Sequence, residues 1–87
     1  PNEQALIGAK GRVTKAEIQL KNAKIVYNRN KKLFDSGVIS RKEFETLELS
    51  YDQAKQDVIN AQNDYQIIKK GSTGSSATTN TNIRAEV

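Results

Sequence analysis

The sequence predicts an all-α fold: an antiparallel two-helix coiled-coil hairpin with a flexible C-terminal tail and the start of a β-strand. Three observations carry this. Two stretches have heptad-spaced apolar residues, the second opens on a capping signature, and the layer sizes of the two stretches mirror each other across the gap.

The first helix is expected over residues 1–35. Leu6, Ala9, Val13, Ala16, Leu20, Ala23, Tyr27, Asn30 and Phe34 follow an unbroken three-four alternation in which only Asn30 is polar. Gly8 and Gly11 each weaken a helix by about 1 kcal/mol relative to Ala, so fraying before Arg12 is expected. Lys31 and Lys32 place positive charge where it complements the helix dipole. After Asp35 and Ser36, Gly37 supplies the left-handed conformation that stops a helix.

A tip turn is assigned to residues 36–40 and the second helix to 41–70. Ser40-Arg41-Lys42-Glu43 is an S-x-x-E capping box, and Ile39 and Phe44 occupy the hydrophobic-staple positions on either side of it. Phe44, Leu47, Tyr51, Ala54, Val58, Ala61, Tyr65 and Ile68 repeat the three-four spacing with no polar member. Lys69, Lys70 and Gly71 read as the close of this helix.

If the chain reverses near residue 39, the two lists face each other in layers. Phe34 meets Phe44, Tyr27 meets Tyr51, Leu20 meets Val58 and Val13 meets Tyr65, while Ala23 meets Ala54 and Ala16 meets Ala61. Large and small layers alternate, and the short connection favours antiparallel neighbours. Arms of roughly thirty residues make a rod on the order of 45 Å long.

Residues 71–82 form a Gly, Ser, Thr and Asn tract without periodicity and read as a linker. Ile83 to Val87 alternate apolar and polar as a strand does, a signature too short to stand alone. The abrupt start at Pro1 and the stop within this strand signature suggest a piece excised from a longer protein.

Composition narrows the function. At 36% apolar and 28% charged residues, with no Trp or Met, the chain can bury only a thin core. Cysteine and histidine are both absent. That removes disulfides, thiolate sites, the commonest general base and the commonest nitrogen ligand for zinc. No phosphate loop, H-E-x-x-H, calcium loop or nucleophile elbow is present. The carboxylates of Glu43, Glu45, Glu48, Asp52 and Asp57 serve capping, dipole and solubility roles. No catalytic residue, cofactor or metal site is expected, and the chain reads as a non-enzyme. No apolar run is long enough to span a membrane.

The net charge of +4 is uneven. Residues 1–35 carry eight Lys or Arg against Glu3, Glu17 and Asp35, whereas residues 41–70 carry five against six acids. A basic helix suits nucleic acid or an anionic surface, and it equally suits plain solvation of a long helix.

Apolar residues outside the seam mark candidate contacts. Leu33 lies beside Phe34 but off the seam, with Arg29 four residues earlier on the same face, so a greasy contact and a five-donor cation point outward near the tip. The structural alternative is a Leu flanking the seam and an Arg covering it with its stem. Ile18, Ile25 and Val26 on the first helix, and Leu49 and Ile59 on the second, give each arm a fainter second apolar surface. Lateral packing of one hairpin's basic arm on a neighbour's more acidic arm would use it, and scattered surface aliphatics are the alternative.

The stretch from Tyr27 to Phe44 (YNRNKKLFDSGVISRKEF) resembles the hairpin tip of periplasmic adaptors from tripartite efflux pumps, the HlyD-like membrane fusion proteins. In that family an Arg, a Leu four residues on and a Ser seven further mark the tip, and Arg29, Leu33 and Ser40 reproduce the spacing. The resemblance runs over about residues 12–87, and it implies that the strand-like Ile83 to Val87 are the start of a lipoyl-like domain strand. Glu86 departs from it, since many relatives carry proline there.

This resemblance implies a periplasmic subunit held at the inner membrane through parts outside this chain, with hairpin tips that dock on a TolC-type outer-membrane channel in multidrug efflux. It implies an inner-membrane transporter of RND or ABC class as partner and a homo-oligomer, a hexamer, in the whole protein. Arg29, Leu33 and Ser40 would contact the channel, and no nucleic acid would be bound. For Ser40 the residues themselves offer a competing role as helix cap. Two other readings stand beside this one: a basic helical-hairpin arm that binds RNA, which a steeply salt-dependent affinity for tRNA would favour, and a generic coiled-coil spacer.

Overall fold

The computed structural model describes residues 2–72, in the order α1 (Asn2–Asp35) and α2 (Arg41–Ser72). Two long helices fold back on each other as an antiparallel hairpin, with no strand among the described residues. The expected strand at 83–87, and the linker from residue 73 on, lie outside the described residues.

Each seam residue is buried or half-buried, and the flanking charged residues are exposed, Asp57 excepted. Ala9, Ala16, Phe44, Ala54 and Val58 form the buried core. Three of these five are alanine, which explains how the helices approach closely and why the core is thin. No large side chain is completely enclosed among the described residues.

Aromatic rings lock the turn-proximal half. Phe34 and Phe44 stack with centroids 4.7 Å apart and planes 5° from parallel. Tyr27 lies 4.9 Å from Tyr51 and 5.4 Å from Phe44, tilted against both. The Phe34–Phe44 and Tyr27–Tyr51 layers are therefore those the mirrored spacing predicts, and Phe44 touches two rings of α1. Such ring pairs add about 0.5–1.5 kcal/mol beyond the area they bury.

Asn30, the polar member of the seam, donates from Nδ2 to the Val26 carbonyl at 2.8 Å. One of its amide donors is thus engaged within its own helix. Both ion pairs among the described residues are also local: Lys31–Asp35 at 3.5 Å and Lys55–Asp52 at 3.3 Å. Ring and alanine layers, not cross-helix charges, therefore set the register.

Helix α1, expected over residues 1–35 with fraying before Arg12, runs without a break from Asn2 through Gly8 and Gly11. Ala9, only 1% exposed, lies between those glycines, and burial of this seam turn offsets their weak propensity. At about 1.5 Å per residue, the 34 residues of α1 run for roughly 51 Å, longer than the arm expected. Helix α2 continues two residues past Lys70, because Gly71 keeps helical backbone instead of the left-handed cap, and Cβ-sized space around it is empty. Val26, read as part of an outer surface, is half-buried next to the seam.

Candidate docking site at the hairpin tip

The turn is fastened from both sides. At the end of α1 the Val38 N–H donates to the Leu33 carbonyl at 2.8 Å and the Gly37 N–H to the Phe34 carbonyl at 2.9 Å. This nested pair is a Schellman motif, and it needs one left-handed residue, which Gly37 supplies with φ of 77°. At the start of α2 the Glu43 N–H donates to Ser40 Oγ at 3.0 Å, and the Ser40 N–H donates to Glu43 Oε1 at 2.9 Å. The reciprocal capping box forms as the S-x-x-E spacing requires.

Ile39 is half-buried and Phe44 buried, in keeping with their staple positions. Arg41 contributes a contact that the sequence reading missed: its guanidinium carbon sits 5.6 Å from the centroid of the Phe34 ring. A cation thus covers the last aromatic layer where the seam meets solvent. Lys55 over Tyr51 at 4.4 Å and Lys69 over Tyr65 at 5.9 Å repeat the device along α2. For these two the signal was available, since each Lys follows its Tyr by four residues on one helix face.

The three residues singled out from the sequence stand differently in this frame. Arg29 is exposed and makes no hydrogen bond or ion pair among the described residues. Leu33 is 36% exposed, one helical turn on from Arg29. It also has a local role unseen in the sequence: its carbonyl accepts the Val38 N–H, and the Schellman motif commonly brings an apolar side chain at this position against the one after the glycine. Ser40 is exposed, and its oxygen is engaged by the cap. A hydroxyl that accepts one bond still has its proton to donate, so capping leaves Ser40 a donor for a partner.

Arg29 and Leu33 therefore share a face of α1, while Ser40 opens α2 beyond the turn. The exposed apolar residue nearest the apex is Val38, at 66%, which the sequence reading passed over. Away from the tip, Ile18 and Ile25 are exposed and line an open groove with Gln19, Lys21 and Asn22, and Leu49 and Ile59 are exposed on α2. No described helix is long and apolar enough to cross a membrane, and no cluster of His, Cys, Asp or Glu among the described residues has metal-binding arrangement.

The geometry defines a class: an antiparallel α-helical hairpin domain with a hydrogen-bonded, ring-stacked turn. Residues 1–86 match the family model of the YBHG alpha-helical hairpin domain, and the chain belongs to that family. This is a hairpin domain of membrane fusion and periplasmic adaptor-like proteins, in agreement with the resemblance read from the tip. Comparison with curated proteins and with solved structures gave no significant match.

Proposed function

We propose that this hairpin is the docking arm of a periplasmic adaptor in drug efflux, and that its tip engages a TolC-type outer-membrane channel through Arg29, Leu33 and Ser40. The observation that carries the reading is Arg29. It is a long cation next to the turn with no intramolecular partner among the described residues, on the same face as the partly exposed Leu33. The doubly fastened turn supports the reading because a preorganised tip loses less entropy on binding.

In this proposal the adaptor works in the periplasm, held at the inner membrane and joined to an RND or ABC transporter by parts outside this chain. Six copies surround a common axis. The exposed Ile18 and Ile25 of α1 lie against the Leu49 and Ile59 face of a neighbour's α2, and the basic arm meets the more acidic one. Light scattering coupled to size-exclusion of the whole protein tests the assembly, and monomer at every concentration would end that part of the proposal.

Docking is tested by efflux complementation with Arg29→Asp. Loss of drug resistance at unchanged protein level is the expected result. Wild-type resistance with Arg29→Asp would remove the docking reading and leave a spacer.

A further inference from the structure

At the tip, one aliphatic side chain stays largely exposed and three cations lack a carboxylate or ring partner among the described residues. Val38 is an aliphatic residue 66% exposed in the turn, where burial does nothing for it. Its backbone is nonetheless fixed, between the left-handed Gly37 and the capping box that starts at Ser40, with its N–H donated to the Leu33 carbonyl at 2.8 Å. On the helix turns either side of it, the cations of the tip divide into two sets. Lys31 is paired with Asp35 and Arg41 covers the Phe34 ring. Arg29, Lys32 and Lys42 have no carboxylate or ring partner among the described residues.

We infer that Val38 is the apical contact of the docking tip. Together with Leu33 it forms an aliphatic pair that enters an apolar socket on the partner protein, and Arg29, Lys32 and Lys42 meet carboxylates on the rim of that socket. This rests on the docking reading above and extends it to a residue outside the Arg, Leu, Ser spacing. Charge complementarity selects the occupant: an apolar apex flanked on both helices by cations without carboxylate partners is repelled by a basic surface and poorly matched to a neutral one. A small apolar centre with a charged surround is also how binding energy concentrates in protein interfaces.

The spacing motif did not find Val38 because it is neither polar nor periodic. It lies between two helices, where neither seam reaches. Its importance comes from the fixed turn, which holds a side chain outward that a flexible loop would fold back.

The test measures binding of the full chain to a purified TolC-type channel immobilised from detergent micelles, with helix content checked by circular dichroism. The variants are Val38→Asp, Val38→Ser, Val38→Leu and Arg29→Asp, with Ile67→Asp, exposed at the far end of α2 from the turn, as control. Val38→Asp and Val38→Ser are expected to weaken binding by about tenfold or more, and Val38→Leu to retain it.

Val38→Ser removes the aliphatic group without adding charge, and it decides the matter should the aspartate disturb the turn. If Val38→Ser binds within about twofold of wild type while Arg29→Asp does not bind, the apical role is overturned and docking through Arg29 stands. If Arg29→Asp also binds normally, or wild type does not bind, the docking reading itself fails and the role of Val38 with it. Weakening by Ile67→Asp equal to that by Val38→Ser would show that the contact is not apical, which also overturns the inference.

Discussion

The rings of Phe34 and Phe44 lie parallel, 4.7 Å apart, in the last layer of the seam before the chain turns. Phe44 also touches Tyr27, so one side chain of α2 ties together two turns of α1. Phe44→Ala should therefore cost about 3 kcal/mol or more, the range for deleting a buried Phe. In a hairpin with so thin a core that is a large share of the total, and urea titration followed by circular dichroism should show an early, broadened transition. A shift below about 1 kcal/mol would mean that the aromatic layers do not hold the tip.

The glycines make opposite predictions. Gly37 has φ of 77°, so Gly37→Ala should destabilise the hairpin by about 1–2 kcal/mol even though the added methyl group meets open space. Gly11 is helical, and nothing lies within 4 Å of the place a methyl group would take, so Gly11→Ala should stabilise the hairpin by about 0.5–1 kcal/mol. Thermal melts of the two variants beside wild type check both signs at once.

Ser40 serves the fold through its oxygen, and substitution can separate this from any contact made by its proton. Ser40→Ala should cost about 1 kcal/mol, whereas Ser40→Asp keeps an acceptor for the Glu43 N–H and should melt close to wild type. If Ser40→Asp is stable yet loses channel binding, Ser40 lies at the contact as well as capping α2. If it is stable and binds normally, Ser40 acts through the cap alone.

No ion pair crosses between α1 and α2 among the described residues, and the two within the helices are exposed. Exposed pairs of this kind contribute little, and salt screens them further. The melting temperature of the hairpin should change by only a few degrees between low and high salt. A steep fall with added salt would point to cross-helix electrostatics as the source of register.

Much of this structure is legible in the sequence because two periodic seams leave one solution. The Phe34–Phe44 and Tyr27–Tyr51 layers follow from counting threes and fours, and the Ser40–Glu43 cap follows from residue type at a fixed offset. The end of α2 was misplaced because Gly71 permits a left-handed stop without requiring one. Fraying was expected at Gly8 and Gly11 because local propensity is blind to the burial of Ala9. Arg41 and Val38 escaped for a different reason. Their roles depend on where the turn aims them, across to Phe34 in one case and out to solvent in the other, and no periodicity encodes that direction.

The docking proposal depends most directly on Arg29 as a docking cation and not a solvated one. The decisive measurement is the affinity of the full chain for a purified TolC-type channel with Arg29 and with Arg29→Asp, at matched helix content. A loss of about tenfold or more on charge reversal is the predicted result. Equal affinity for the two proteins would contradict it, and the hairpin would then be a spacer whose tip touches no channel.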